Sequence, residues 1–221
     1  MSHDPDADDQ PDPDAQPDAD EEAYLVEHRK ALLESVAFWS PEKKLERELW
    51  VVRTFLRHLN VQYADSELVP ETSEPPDINF RSARFEIKEI LDPDRRRHEE
   101  YREKLEKAGS AKRLRDLMEQ YTPQDLTYEE IGDQAVKTLE GLAKHYAPKV
   151  IERLDLLLYV NLLRRVVDTQ SPVPSPSRFS GFGWRSVSVV RSSVACVFHA
   201  RSDAPEFLQP YVGKPTSQGI E

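Results

Sequence analysis

Residues 154–163 read LDLLLYVNLL, an apolar run broken only by Asp155 and Asn161. A run of that length is too short for a membrane helix and suits a strand buried on both faces. Such a strand needs cover above and below. The run therefore points to a central sheet with helices packed against it, an α/β arrangement.

The rest of the chain supplies the parts. Tyr24, Leu25, His28, Leu32 and Val36 recur at helical spacing, so a helix is expected over 22–39. Ser40-Pro41-Glu42 has the order of an N-cap, a first-turn proline and a first-turn acid, and opens a second helix to about Leu59. A short strand and loop should fill 61–70. Pro75-Pro76 then breaks the chain before Asp77-Ile78-Asn79-Phe80, and Ala83 to Ile90 alternates like a strand. Residues 94–148 read as polar helix in three pieces, the last following Thr122-Pro123 and running to about Tyr146. Residues 185–190 and 193–198 read as closing strands.

Charge divides the chain unevenly. There are 221 residues, with 30 Lys or Arg against 41 Asp or Glu and a formal charge of −11. Residues 1–22 hold ten of the acids and no Lys or Arg, which leaves a body of 31 acids and 30 bases. A Pro-rich, uniformly acidic segment cannot offset its ordering entropy, so 1–22 is expected to be a disordered acidic tail. One domain should occupy 23–212, with a flexible C-terminus over 213–221. A single cysteine, Cys196, excludes an internal disulfide and a cysteine-built zinc site. There is no signal-peptide pattern and no membrane-length apolar run, so a cytoplasmic protein is expected. The absence of a Gly-rich phosphate loop argues against a nucleotide-binding enzyme.

Chemistry concentrates between Pro76 and Lys88. On the strand, Phe85 and Ile87 point one way, and Glu86 and Lys88 the other. Folding the chain about Arg81-Ser82 pairs Phe80 with Ala83, Asn79 with Arg84, Ile78 with Phe85, and Asp77 with Glu86. Opposed residues share a face, with Cβ atoms about 5 Å apart. Two facing carboxylates repel unless a positive group lies between them, and a divalent cation fits that place. Lys88 beside it could orient or deprotonate a water, or neutralise phosphate charge. Arg-Ser is a poor two-residue hairpin turn, and a longer turn would shift the pairing by one.

The second helix offers a third acid. With about 100° per residue, Leu45, Leu49, Val52, Phe55, Leu56 and Leu59 gather on one side, and Glu48 falls inside that arc. A charge within an apolar stripe needs a partner or a purpose. Glu48 could reach the Asp77/Glu86 site as a further ligand, or lie at the stripe's edge and snorkel to water.

Glu48 on a helix, then Pro76-Asp77, then Glu86-Ile87-Lys88 on the next strand, resembles the PD-(D/E)xK nuclease superfamily. It is also similar to a small bacterial family described only as endonucleases by inference. The resemblance covers about residues 41–163. It implies a restriction-endonuclease-like αβββαβ core, with a mixed central sheet flanked by helices and, here, extra C-terminal strands. It implies Asp77 and Glu86 as ligands of Mg²⁺ or Mn²⁺, Lys88 as the lysine aiding water activation, and Glu48 as the helix acid. The helix before the fourth strand often carries further polar site residues in that superfamily. Gln134, Lys137 and Lys144 lie there, with no means of choosing among them.

The activity implied is phosphodiester hydrolysis of nucleic acid, DNA ahead of RNA. The alternative is a non-catalytic nucleic-acid-binding or protein-interaction module on the same fold. Residues 141–201 carry nine Lys or Arg against three acids, a bias suited to phosphates. Candidate contacts are Arg95, Arg96, Lys144, Arg178 and Arg185, with Trp184 as a base-stacking ring. Many members of the superfamily work as dimers, so a homodimer is an allowed state, and no stretch of this sequence marks its interface.

Overall fold

The computed structural model describes residues 19–73 and 75–217. Its principal elements in chain order are α1 (Ala19–Phe38), α2 (Lys44–His58), β1 (Leu68–Pro70), β2 (Ile78–Phe80), β3 (Ala83–Leu91), α3 (Arg97–Ser110), β4 (Gln124–Leu126), α4 (Tyr128–Leu142), β5 (Asp155–Asn161), β6 (Arg165–Val167), β7 (Ser186–Val190) and β8 (Ala195–Ala200). Among the described residues, 19–37 and 96–120 group into one compact unit, and 38–73, 75–95 and 121–217 into another. The expectation of one domain over 23–212 did not anticipate α1 and α3 in a unit of their own.

In the first unit, α1 begins at Ala19, so part of the expected tail is helical. Asp20, Glu21 and Glu22 occupy its first turn, where acids complement the helix dipole. Glu21 also accepts from Arg113 Nε at 2.9 Å and from the Leu114 backbone N–H at 2.5 Å. Arg29 donates to the carbonyls of Ala108 and Ala111 at 2.7 and 2.9 Å, satisfying groups at the C-terminal end of α3. Residues 1–18 of the expected tail lie outside the described residues.

The second unit is built on a six-stranded mixed sheet in the order β1-β2-β3-β5-β7-β8. β1, β2 and β3 form an antiparallel meander, β5 lies parallel to both β3 and β7, and β8 closes antiparallel to β7. The apolar run is β5, buried on both faces as expected. Leu156, Leu158 and Val160 pack in a cluster with Ile131, Ala135 and Leu139 of α4. Leu157 and Tyr159 pack with Val52, Phe55 and Leu56 of α2. Among the described residues no helix is long and apolar enough to cross a membrane.

The β2–β3 register is the one read from sequence: Phe80 with Ala83, Asn79 with Arg84, Ile78 with Phe85. The two-residue turn closes because Arg81 takes a left-handed backbone (φ 52°), which is unfavourable without glycine. Its side chain is held there from outside the turn. The guanidinium donates to Glu67 at 2.9 Å and to the Gln62 carbonyl at 2.7 Å, and lies over the Phe80 ring.

Two expectations change. The stretch after Thr122-Pro123 is first strand β4, parallel to β6, and only then helix. α4 starts after Thr127, whose hydroxyl accepts from the Glu130 N–H while the Glu130 carboxylate accepts from the Thr127 N–H, a reciprocal capping box. The C-terminus is also more ordered than expected before residue 218. Thr216 exchanges backbone hydrogen bonds with Ala195 at 2.8 and 2.9 Å. Residues 218–221 lie outside the described residues.

Candidate functional site

β2 starts at Ile78, and Asp77 precedes it just where the antiparallel pairing with β3 stops. The Asp77 backbone N–H still reaches the Phe85 carbonyl at 2.9 Å. Beyond that point its side chain replaces the missing strand: Oδ2 accepts from the Ile87 backbone N–H at 2.7 Å. A strand N–H points along the sheet, not out of it. The Asp77 carboxylate therefore lies in the plane of the sheet, not on the face of Glu86 as simple cross-strand pairing implied.

From that position it meets groups from both sides. On the α2 side, Lys44 Nζ lies 3.5 Å from Asp77 Oδ1 and 3.4 Å from Glu48 Oε1. Burial and the charge of Asp77 push the Glu48 carboxyl up to about 7, and Lys44 pulls against them. A side-chain hydrogen bond to Asp77 adds a smaller push in the same direction. Glu48 thus lies inside the apolar arc of its helix for a reason: it meets Asp77 and Lys44.

On the other face, Glu86 Oε1 receives two donors. Lys88 Nζ pairs with it, and the Tyr146 hydroxyl donates to it at 2.5 Å. Burial opposes the charge on Lys88, but the hydrogen bond and charge of Glu86, with Asp77 behind it, outweigh that and hold the ammonium above its ordinary range. These contacts favour the ammonium form of Lys88. Burial and the bond to Glu86 raise the Tyr146 phenol, which stays a donor. The Lys88 ammonium lies 5.9 Å from the centre of the Tyr146 ring.

The acids are covered and the bases are not. Asp77 and Glu86 are 4% and 2% exposed, while the Lys44 and Lys88 side chains are 53% and 32% exposed. Among the described residues, Glu86 Oε2 is buried and has no hydrogen-bond partner. A bare carboxylate oxygen is costly to bury, and it is an open ligand position. The oxygens of Asp77 and Glu86 are hard donors suited to Mg²⁺ or Mn²⁺. Among the described residues no three His, Cys, Asp or Glu side chains converge enough to enclose a metal by themselves. An ion held by so few carboxylates would complete its shell with water and substrate oxygen, the usual habit of Mg²⁺.

The structure joins Glu48 to Asp77 through Lys44 on one side and Glu86 to Lys88 and Tyr146 on the other, and the two groups meet in the charge that Asp77 exerts on Lys88. Lys44 had a sequence signal, since it lies four residues before Glu48 on one helix face. Tyr146 had none: it follows the end of α4 and meets Glu86 from 60 residues away. Of the polar residues weighed from sequence on and just after α4, Gln134 is half-buried and Lys137 and Lys144 are exposed, and the hydrogen bond to Glu86 comes from Tyr146 instead.

The expected nucleic-acid contacts are mostly committed elsewhere. The Arg95 side chain is only 8% exposed and donates to the Asn161 carbonyl at 2.6 Å. Arg178 pairs with Glu129 and Asp133 of α4. Arg185 pairs with buried Asp155 and donates to the Ser82 carbonyl at 2.8 Å. Trp184 is 1% exposed and packs edge-on against Tyr146, so its ring offers no face to a base. The sequence left two readings of Trp184 and its Phe neighbours, stacking on bases or capping the core, and the indole is core. Arg96 is exposed and pairs with Glu99 in the α1/α3 unit. Lys144 is exposed just after α4.

A family model described as "Putative endonuclease, protein of unknown function (DUF1780)" matches residues 20–220. Among solved structures, a protein of unknown function from Pseudomonas aeruginosa strain PAO1, PA4535, described as monooxygenase superfamily, is similar at 31% identity and a TM-score of 0.64. The match covers 89% of this chain and 95% of that one. No curated protein matches.

Proposed function

The chain belongs to the DUF1780 family, and on that premise we propose that it hydrolyses phosphodiester bonds in nucleic acid, DNA ahead of RNA, at the site around Asp77. We read the order α2, β1, β2, β3, α4, β5 as a restriction-endonuclease-like core: a three-stranded meander, then a helical crossover to a parallel strand. The observation that carries the reading is that Glu86, paired with Lys88 on the strand whose edge Asp77 completes, keeps a buried carboxylate oxygen that no protein donor satisfies among the described residues.

Asp77 and Glu86 would hold Mg²⁺ or Mn²⁺ there. A bound divalent ion supplies Lewis acidity toward a phosphoryl oxygen and a water of lowered pKa. The protein's own groups do the rest. Lys88, kept as an ammonium, sets positive charge against the charge that grows on the phosphate in the transition state. Glu48, with its pKa near 7, can take up or release a proton beside Asp77. Lys44 neutralises the same pair when no other cation does. Lys144 is an exposed base shortly before Tyr146 in the chain, and it is the contact we retain for the backbone of the strand.

The monooxygenase description belongs to the Pseudomonas aeruginosa protein. Hard carboxylate oxygens beside two ammonium groups match phosphate and Mg²⁺, and this favours hydrolysis as the reading of this site.

The test is cleavage of single- and double-stranded DNA, and of RNA, with Mg²⁺ or Mn²⁺ and with EDTA. Cleavage should need the metal, and Lys88→Ala and Asp77→Ala should each abolish it while circular dichroism shows a folded chain. Nucleic-acid binding that persists in EDTA, with no cleavage of any substrate, would turn the assignment to a non-catalytic binding module.

A further inference from the structure

The two oxygens of Glu86 are in different situations. Oε1 carries two donors, the Tyr146 hydroxyl at 2.5 Å and the Lys88 ammonium. Oε2 carries none among the described residues, and both belong to a residue that is 2% exposed. A glutamate side chain has three rotatable bonds and no intrinsic preference for that arrangement. Something outside the residue must hold one oxygen down and leave the other bare.

Lys88 is a poor candidate for that task. Its ammonium is a point charge on a flexible stem, 32% exposed, and the role proposed above turns it toward a phosphate. Tyr146 is the opposite. Its backbone N–H bonds the Leu142 carbonyl at 3.1 Å, which locks the turn after α4. Its ring meets buried Trp184 at 6.0 Å between centres. A phenol has few degrees of freedom, and both contacts fix them without help from Glu86.

We propose that Tyr146 is a positioning residue that pins Glu86 through Oε1 and so presents Oε2 to the divalent ion. The role rests on the metal-dependent reading given above. It resembles the way outer hydrogen bonds orient ligands at metal sites generally, where their loss costs about 10–100-fold in affinity.

The experiment is calorimetric titration of the protein with Mn²⁺, using the wild type, Tyr146→Phe and, as a packing control, Phe198→Leu, at a buried core ring stacked on Phe179. Tyr146→Phe keeps the ring, the Trp184 contact and the Lys88 contact, and removes only the hydroxyl. It should bind Mn²⁺ about 10–100-fold more weakly and regain wild-type cleavage when Mn²⁺ is saturating. Phe198→Leu should lower the melting temperature and leave Mn²⁺ affinity in place. Wild-type affinity in Tyr146→Phe would overturn the positioning role, as would a loss of affinity matched by Phe198→Leu. A wild-type chain that takes up no Mn²⁺ would overturn the metal reading itself, and the two failures are distinguishable in one set of titrations.

Discussion

Asp77 completes the backbone ladder of β3 with its side chain: its Oδ2 accepts from the Ile87 N–H at 2.7 Å, where a longer β2 would have offered a carbonyl. One residue thereby ends a strand, satisfies a part-buried N–H and delivers a carboxylate beside both the α2 side and the charge of Lys88. Structure and proposed chemistry share the same oxygen atoms, and they can be separated by substitution.

Asp77→Asn keeps an amide oxygen for Ile87, whereas Asp77→Ala leaves that N–H unpaired. An orphaned buried donor costs about 1–3 kcal/mol. Denaturant unfolding should therefore place Asp77→Asn close to wild type and Asp77→Ala below it by roughly that amount. Both variants should lose metal-dependent cleavage alike, because both lose the charge. Equal stability of the two variants would remove the ladder role.

Glu48 predicts a pH dependence whose sign is set by its raised carboxyl. The folded chain keeps the proton up to about 7, and the unfolded chain releases it near the ordinary 4.5. Between those values the folded state binds more protons, so its stability falls as pH rises across that window. The fall is at most about 1.4 kcal/mol for each pH unit crossed. Glu48→Gln should flatten this slope in melting temperatures taken from pH 4.5 to 7. Lys44→Met, which removes the cation holding the Glu48 carboxyl down, should carry its titration above 7 in a carbon-detected NMR experiment.

Trp184 separates a core residue from a nucleic-acid contact. Truncation of a large buried ring costs about 3–5 kcal/mol. Trp184→Ala should unfold at markedly lower denaturant, and the fraction still folded should bind nucleic acid as the wild type does. A folded, stable variant with weakened binding would restore base stacking, the other reading that the sequence allowed.

Local pattern carried much of this protein. The apolar run from 154 already demanded a strand with helices on both sides, because a strand of that composition has no face for water. Pro-Asp, the alternating strand and the hairpin length placed Asp77, Glu86 and Lys88 within reach of one another. The wheel put Glu48 where a charge needs a reason. These are consequences of short-range geometry, the period of a strand or a helix, and they are written in consecutive residues.

What the sequence could not contain is whatever depends on residues far apart in the chain meeting in space. The in-plane position of Asp77 follows from where β2 stops, and that is set by sheet pairing. Tyr146 reaches Glu86 only because α4 crosses over the sheet and ends above it. Arg95, Arg178 and Arg185 looked like free cations because their partners, Asn161, Glu129 with Asp133, and Asp155, are between 30 and 66 residues distant. Composition counts such charges, but only the tertiary structure decides which are already engaged.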